Sequence, residues 1–317
     1  MSISVQNISK SYKKIKAIDD ISFEVKSGEL FGLIGPDGAG KTTIFRVLTT
    51  LLIPEEGKAT VADYDVIDDY KAIRNSVGYM PGKFSLYQDL TVEENLTFFA
   101  TIFGTTIEEN YNLIEDIYVQ IEPFKKRRAG ALSGGMKQKL ALCCALIHAP
   151  KVLFLDEPTT GVDPVSRKEF WQMLKRLQQK GITILVSTPY MDEAALCDRI
   201  ALIQNGKVLK IDSPQAITAN YEKVIYDIQS KNTHGLIHDL KGYSSQYSVY
   251  AFGEFIHYID KNAAFNPNDL MDYLNTLGVH LLLLELGIED WSLFPYPWDL
   301  GWFENMMLCH FEFAVAF

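Results

Sequence analysis

The sequence predicts an α/β fold in which helices cover a largely parallel sheet. Three apolar runs, Leu30–Ile34, Lys151–Leu155 and Ile182–Val186, have the length of buried strands. Helical stretches separate them, and this alternation is typical of parallel sheets. Met1–Val5 and Ile21–Val25 alternate apolar and polar residues instead, which predicts a small N-terminal antiparallel β-subdomain.

Local signals predict the remaining elements. Thr91 and Glu94 have the spacing of a capping box before an apolar helical run, so we expect a helix over Thr91–Phe103. Asn205-Gly206 predicts the tight turn of a hairpin. Further helices are predicted at Ile44–Leu52, Glu109–Gln120, Met136–His148 and Val165–Gln179, and further strands at Lys58–Val61, Ser76–Pro81, Ile200–Gln204 and Lys207–Lys210.

The length of 317 residues favours one large domain with a smaller one. We expect the large domain at residues 1–220, with a mainly helical insertion at about 84–148. Residues 221–290 alternate short strand-like and helical runs, which predicts a small α+β C-terminal extension. The tail at 291–317 is rich in aromatic residues, and the sequence assigns it no role.

Composition and charge exclude several classes of protein. A net charge of −10 argues against a nucleic-acid partner, and the basic run Lys125–Arg128 is short enough to be a solvated helix end or loop. No secretion signal and no apolar stretch of membrane-spanning length is visible. The four cysteines lack metal or disulfide spacing, so Cys143 and Cys144 are expected to pack as small hydrophobes, and His234 and His238 to be solvated. We therefore expect a cytoplasmic protein.

A glycine-rich loop between the strand Leu30–Ile34 and the helix Ile44–Leu52 predicts a nucleotide site. Its glycines allow turns that gather backbone N–H groups around a phosphate at a helix N-terminus. In this pattern the lysine reaches the outer phosphates and the next hydroxyl ligates Mg²⁺; a glycine-rich turn with a surface lysine fits the strand–loop–helix context less well. The predicted cofactor-binding residues are Gly35, Pro36, Asp37, Gly38, Ala39, Gly40, Lys41, Thr42 and Thr43, and Thr42 is also a predicted Mg²⁺ ligand.

An acidic pair, Asp156-Glu157, follows the strand Lys151–Leu155, at the edge where open α/β sheets bind ligands. Asp156 is predicted to hold Mg²⁺, directly or through water, and Glu157 to polarise the water that attacks a γ-phosphate. The alternative is an acidic turn that caps the next helix. Upstream of the glycine-rich loop, Tyr12 either stacks on an adenine ring or covers the edge of the small sheet.

Two further motifs are Leu132-Ser133-Gly134-Gly135-Met136-Lys137-Gln138 and Gly161-Val162-Asp163-Pro164. Together with the glycine-rich loop and the acidic pair, they make residues 1–220 resemble the ATPase subunit of an ABC transporter. The resemblance implies a P-loop NTPase core whose helical insertion carries Ser133–Gly135 as the signature motif. It also implies that Ser133, Gly134 and Gly135 clamp the nucleotide of a second subunit, in a head-to-tail dimer that closes on two ATP molecules. A serine hydroxyl and glycine N–H groups at a helix N-terminus suit a phosphate. Residues 221–290 resemble the small extension of export-type members.

Two positions depart from the family pattern. Gly82 stands where the family carries a glutamine that senses Mg²⁺ and the attacking water, and Pro189 stands where it carries a histidine that touches the γ-phosphate. Glycine has no side chain and proline has no donor, so neither replaces the missing group. We therefore expect the chain's own site to bind ATP and to turn it over slowly.

Three functions follow. The first is an ATP-hydrolysing subunit of an exporter, peripheral on the cytoplasmic face of the inner membrane and docked on a multi-span permease through Lys83–Asp89. The second is a hydrolysis-poor ATP-binding module that completes the site of a second, competent ATP-binding subunit, which favours a heterodimer over a homodimer. The third, a soluble ABC protein of DNA repair or translation, is disfavoured by the single cassette without a long coiled coil and by the acidic charge.

Overall fold

The computed structural model describes residues 1–219, 225–230, 232–252, 255–262, 265–279 and 281–286. The chain divides into two units, Met1–Ala216 and Ile217–Phe317. The aromatic tail at 291–317 lies outside the described residues. None of the helices in the described part of the chain has the length and the hydropathy needed to span a membrane.

The first unit combines an antiparallel sheet, a largely parallel sheet and a group of helices. Its elements are β1 (Ile3–Tyr12), β2 (Ile15–Val25), β3 (Leu30–Ile34), α1 (Lys41–Leu48), β4 (Glu56–Val61), β5 (Tyr64–Asp65), α2 (Tyr70–Ser76), β6 (Val77–Met80), α3 (Val92–Ile102), α4 (Tyr111–Tyr118), α5 (Gly134–Leu146), β7 (Val152–Asp156), α6 (Pro164–Gln179), β8 (Thr183–Thr188), α7 (Met191–Ala194), β9 (Arg199–Gln204) and β10 (Lys207–Asp212). The short helix α8 (Pro214–Ala219) includes the division point after Ala216.

The central sheet has the strand order β10-β9-β3-β8-β7-β6. The strands from β9 to β6 are parallel, and β10 pairs antiparallel with β9 at one edge. All residues of β3, β7 and β8 are buried, as expected for strands with both faces covered. The predicted hairpin is confirmed, because Asn205 and Gly206 both adopt positive φ in the turn between β9 and β10.

The N-terminal sheet, β2-β1-β4-β5, is antiparallel, as predicted, but its first two strands are longer than the sequence pattern indicated. Register shifts after Val5, Ile8 and Lys10 and a positive φ at Asn7 interrupt the alternation of buried and exposed residues along β1. A pattern of period two therefore identifies only the regular end of this strand.

The helix after the glycine-rich loop also differs from its predicted limits. It begins at Lys41, directly after Gly40, and its last helical residue is Leu48 rather than Leu52. Thr50, with a positive φ, ends it. Apolar periodicity marked only the apolar part of α1, because the first turn carries polar residues, of which Lys41 and Thr43 are buried.

The helical insertion contains α3, α4, α5 and two short 3₁₀ turns, Glu122–Phe124 and Ala129–Ala131. The predicted capping box is confirmed, since the Thr91 hydroxyl accepts from Glu94 N and the Glu94 carboxylate accepts from Thr91 N. Cys143 and Cys144 are buried, and burial raises the pKa of both thiols.

The second unit is an α+β arrangement of β11 (Ile225–Ser230), α9 (Thr233–Lys241), β12 (Gln246–Phe252), β13 (Phe255–Asp260), α10 (Pro267–Thr276) and β14 (Leu281–Leu286). Its sheet is antiparallel, with the strand order β12-β13-β11-β14. Leu236 and Leu240 of α9 and Leu270 and Leu274 of α10 share one core with Tyr258 of the sheet. Both helices therefore pack on one face, as in a split βαβ motif.

Candidate nucleotide-binding site

The predicted site residues follow neighbouring strands at one edge of the central sheet. Ile34 pairs with Thr188, Asp156 with Ser187, and Met80 with Leu155. The loops after β3, β6, β7 and β8 therefore leave the sheet side by side at the carboxyl ends of its strands. This edge is where open α/β sheets bind their ligands.

The glycine-rich loop after β3 depends on its glycines for two different reasons. A Cβ at Gly35 would lie 2.2 Å from Ile203 O, and one at Gly40 would lie 2.4 Å from Ala17 O, so neighbouring backbone excludes any side chain there. Gly38 has open space but a φ of +81°, which L side chains rarely adopt. Pro36, Asp37 and Gly38 are exposed just before the N-terminus of α1, where an anion can approach the N–H groups of Asp37 and Gly38.

Lys41, the first residue of α1, folds back over this loop. Its ammonium donates to Gly35 O at 2.6 Å and Pro36 O at 3.1 Å, and it lies 3.2 Å from the carboxylate Oε1 of Glu157. Lys41 is only 3% exposed. A buried ammonium held by two carbonyls and one carboxylate can exchange these partners for phosphate oxygens with little rearrangement of its stem.

The acidic pair lies at the end of β7. Asp156 is buried, and its Oδ1 accepts from the Ser187 hydroxyl of β8 at 2.7 Å. Glu157 has a φ of +50°, a conformation that is uncommon for a non-glycine residue, and its N–H donates to Ser187 O at 3.1 Å. This pairing fixes the turn that directs the Glu157 carboxylate toward Lys41. The alternative of a helix-capping turn does not hold for Glu157, because Asp163 caps the next helix, α6.

A magnesium ion fits the donor set that the fold brings to this edge. Asp156 supplies a buried carboxylate, and the half-buried Thr42 supplies a hydroxyl in the first turn of α1. Among the described residues, no cluster of three or more His, Cys, Asp or Glu side chains could hold a metal. Mg²⁺ commonly takes one or two protein ligands and completes its shell with water and substrate phosphates, so this sparse set suits it.

Gly82 and Pro189, the two departures from the family pattern, lie at the same edge. A Cβ at Gly82 would be 3.0 Å from Asp156 O and 3.9 Å from Glu157 Cβ. Pro189 follows Thr188, whose hydroxyl accepts from Tyr190 N at 3.0 Å. The glutamine and histidine of the pattern would therefore start from backbone positions beside Glu157 and at the end of β8.

Ser133 is the N-cap of α5, and its hydroxyl accepts from Met136 N at 3.4 Å. Ser133 and Gly134 are exposed. A Cβ at Gly134 would lie 3.5 Å from Gly161 O, and one at Gly135 would lie 2.7 Å from the Ser166 hydroxyl. The predicted signature segment thus presents an exposed helix N-terminus and packs on the loop after β7 and the start of α6.

Tyr12 ends β1 opposite Ile15, with 41% of its surface exposed. Further along the same hairpin, β2 contacts the glycine-rich loop through Ala17 O. Whether Tyr12 stacks on adenine or covers the edge of the small sheet stays a prediction.

A cavity of about 330 Å³ lies between the loop after β6 and the helical insertion. Phe84 and Leu86 of that loop line it, and Lys137 of α5 lies over the Phe84 ring at 5.6 Å from the centroid. Burial and the nearby Asp156 carboxylate raise the pKa of Tyr79, another lining residue, to about 12. The lining residues are Thr49, Leu51, Arg74, Val77, Tyr79, Met80, Pro81, Phe84, Ser85, Leu86, Phe99, Phe103, Gln138, Ala141, Cys144, Ala145 and His148.

Sequence reasoning missed the hydrogen-bonding residues behind the acidic pair. Ser187 holds both Asp156 and the Glu157 backbone, and Glu193 accepts from the hydroxyls of Thr159 and Thr188. Polar residues at the end of an otherwise apolar strand were the available signal for Ser187 and Thr188. No local pattern marked Glu193.

Comparisons with known proteins agree with this geometry. Residues 18–160 match the family described as ABC transporter. The chain is 41% identical over 220 residues to the probable multidrug ABC transporter ATP-binding protein YbhF of Escherichia coli, covering 68% of this chain and 38% of YbhF. It is 34% identical over 295 residues to the Nod factor export ATP-binding protein I of Mesorhizobium japonicum, covering 92% of this chain and 85% of the relative.

One solved structure combines the fold with nucleotide products. The dimeric post-hydrolysis state of the ATP-binding cassette MJ0796, bound to ADP and Pi, has a TM-score of 0.61 and 26% identity, covering 67% of this chain and 98% of that one. The chain spans less than half the length of YbhF but most of the Nod factor export protein. Its fold, the loops at the carboxyl edge of its sheet and these relatives agree, and the chain belongs to the ATP-binding proteins of ABC transporters.

Proposed function

We propose that the chain is the ATP-hydrolysing subunit of an export-type ABC transporter and that it couples ATP-driven dimer closure to movement of a membrane permease. The observation that carries this proposal is the meeting of Lys41 and Glu157, 3.2 Å apart, at the ends of neighbouring structural elements. A phosphate-binding cation and a candidate base for water share one site. The name of one relative, the Nod factor export ATP-binding protein I, supports export as the direction of transport.

The chemistry proposed for this site uses groups already in place. Backbone N–H groups of the glycine-rich loop and the N-terminus of α1 hold the phosphates, and Lys41 exchanges its carbonyl and carboxylate partners for phosphate oxygens. Thr42 and Asp156 would hold Mg²⁺, which neutralises charge on the phosphates. Glu157, released from Lys41, accepts a proton from the attacking water.

The signature segment is proposed to act on a second subunit. Ser133 and Gly134 are exposed at the N-terminus of α5, so their hydroxyl and N–H groups are accessible to the phosphates of another chain. The dimeric state of the MJ0796 cassette supports this arrangement.

A second candidate function rests on Gly82 and Pro189. The chain retains Lys41, Asp156 and Glu157 but lacks the two polar side chains that the family pattern provides around the γ-phosphate. It would then bind ATP, hydrolyse it slowly and complete the site of a more competent partner, which favours a heterodimer.

The surface proposed for the permease is the loop Lys83–Asp89 together with the cavity beside it. Leu86 and Phe84 line this cavity, and the exposed Tyr87 packs edge-on against Phe98 of α3 at 4.8 Å between centroids. Apolar anchors around a concave site are typical of protein interfaces. The loop connects the end of β6, beside Glu157, to the helical insertion, so changes at the phosphates can reach a docked permease. The chain would then be peripheral on the cytoplasmic face of the membrane.

The test of the nucleotide site is calorimetric titration with Mg-ATP. Lys41→Ala removes charge-assisted contacts worth about 1.5–3 kcal/mol, so we expect affinity to fall roughly ten- to hundredfold. Lys71→Ala, at an exposed lysine of α2, is the matched control and should leave affinity unchanged. Equal affinity of Lys41→Ala and the unmodified chain would reject the site. Turnover of the chain alone and with a permease and a second ATPase then separates the two candidate functions.

A further inference from the structure

A buried carboxylate joins three segments behind the candidate site. Glu193 of α7 is 2% exposed. Its Oε1 accepts from the Thr159 hydroxyl at 2.5 Å and from Arg167 Nε at 3.2 Å, and its Oε2 accepts from the Thr188 hydroxyl at 2.5 Å. Three donors from the loop after β7, from α6 and from the end of β8 therefore converge on one side chain.

Two of these contacts, those of Thr159 and Thr188, join Glu193 to loops that carry predicted site residues. Thr159 lies two residues after Glu157, and its carbonyl accepts from Val162 N at 3.1 Å, which folds the loop whose Gly161 borders the signature segment. The Thr188 hydroxyl also accepts from Tyr190 N and so fixes the turn around Pro189.

Arg167 supplies the positive charge that a buried carboxylate requires. Besides Glu193, its guanidinium lies 3.4 Å from Asp192 and stacks over the Tyr190 ring at 4.2 Å from the centroid. Thr188 therefore holds the backbone of Tyr190, and Arg167 holds its ring.

We propose that Glu193 is a positioning residue for ATP hydrolysis, whose carboxylate fixes the loop carrying Glu157 and the turn carrying Pro189 in one arrangement. The inference rests on the proposed hydrolytic function. A carboxylate accepts through both of its oxygens, whereas the N–H₂ group of an amide accepts nothing and would leave at least one of the three donors around Glu193 without its acceptor. Since Pro189 has neither an N–H nor a polar side chain, the position of this turn depends on the Thr188 and Tyr190 contacts.

The experiment compares Glu193→Gln, Thr188→Val and the double variant of the full chain. We expect each single variant to lower kcat by about ten- to hundredfold, as displacement of a catalytic loop typically does, while KM for ATP stays within about twofold because the glycine-rich loop is untouched. The double variant should be no slower than the slower single variant, because the two residues act as one unit. Glu169→Gln, an exposed carboxylate of α6 paired with Lys139, is the matched control and should keep its kcat.

Three results would overturn the inference: an unchanged kcat in Glu193→Gln, a rise in KM that accounts for the whole loss, or losses that multiply in the double variant. Hydrogen exchange at saturating ATP gives a readout independent of turnover. In Glu193→Gln, residues 158–163 and 188–192 should exchange faster while residues 36–43 do not. If the unmodified chain shows no turnover, hydrolysis at this site is rejected, and the exchange result alone decides whether Glu193 positions both loops; unchanged exchange would reject it.

Discussion

Gly82 lies beside the acidic pair. One close contact, with Asp156 O, limits the space for a side chain at this position. A Cβ there would be 3.0 Å from Asp156 O, so the loop must move by a few tenths of an ångström to accept a glutamine. Pro189 is half-buried at the end of β8. In the slow-site proposal, each missing polar group would leave the attacking water and the γ-phosphate with one orienting contact fewer.

We expect Gly82→Gln combined with Pro189→His to raise the ATP turnover of the chain. One preorganised contact to a transition state is typically worth about 10²–10³ in rate, so even imperfect restoration should give at least about a tenfold gain in kcat. The measurement is steady-state phosphate release. Gly82→Ala with Pro189→Ala is the control, since it fills the same positions without polar groups. A double variant that binds Mg-ATP normally but is no faster than this control would contradict the slow-site proposal.

At the scale of elements, the contact between β6 and the end of α5 contains a titratable ring. His148 stacks on Phe103 at 3.8 Å between centroids, and its Nε2 lies 3.1 Å from Val77 O. Burial lowers the pKa of His148, although the hydrogen bond to Val77 acts in the opposite direction. The folded state therefore prefers the neutral imidazole.

The sign of this shift gives a prediction for stability. A histidine whose folded pKa lies below its unfolded value of about 6.5 contributes fully above that pH, and the contribution is lost as the pH falls below it. We expect Tm to fall more between pH 7.5 and pH 5.5 in the unmodified chain than in His148→Phe, which keeps the ring stack. His238→Asn, at an exposed histidine, is the control for the second unit. Parallel Tm curves for the chain and His148→Phe would argue against this effect.

The docking surface is also a property of elements, because it joins the loop after β6 to α3 and α5. We expect Phe84→Ala and Tyr87→Ala each to weaken binding to the permease, by about tenfold for a loss of roughly 1–2 kcal/mol at an interface anchor. The measurement is co-purification of the chain with the permease, followed by transport. Ile15→Ala, an exposed apolar residue of the N-terminal sheet, is the control. Normal assembly and transport in both variants would exclude this surface.

At the scale of the whole molecule, the proposed dimer has two ATP sites, and this chain contributes a different part to each of them. In this proposal its glycine-rich loop, Asp156 and Glu157 would serve its own nucleotide, whereas Ser133, which is exposed at the start of α5, would serve that of a partner. In a pair with a subunit that keeps the glutamine and the histidine, the partner's site would therefore depend on Ser133 of this chain.

We expect Ser133→Arg to abolish turnover of such a pair, because a bulky side chain blocks the clamp on the partner's nucleotide. Glu157→Gln should cost much less, since it affects the slow site only. The measurement is ATP turnover of the reconstituted pair, with Ser133→Ala as the smaller substitution. Rapid hydrolysis by this chain as a homodimer, stopped by Glu157→Gln, would contradict the asymmetric proposal. The first proposed function, an ATP-hydrolysing subunit with a competent site of its own, would then remain.

Sequence patterns predicted the elements whose signals are local. The buried strands β3, β7 and β8 are fully apolar along most of their length, the capping box at Thr91 uses residues three apart, and the Asn205-Gly206 turn needs only its own two residues. The glycine-rich loop is identified in the same way, since its glycines and its lysine lie within a few consecutive residues. The limits of β1 and α1 were less accurate, because bulges and polar first turns interrupt the periodicity on which such predictions depend.

The sequence by itself therefore determined the fold class, the family and the residues around the predicted phosphate site. Only the tertiary structure decided which residues meet there: Lys41 contacts Glu157, Ser187 contacts Asp156, and Glu193 lies between the loops after β7 and β8. The physical reason is that most of these contacts join residues from 31 to 116 positions apart, and only the pair Thr188 and Glu193 is local. The largely parallel sheet brings the distant residues together, and no local pattern encodes its strand order. Hydrogen bonds and ion pairs depend on ångström distances, which arise only when neighbouring strands place their carboxyl ends side by side.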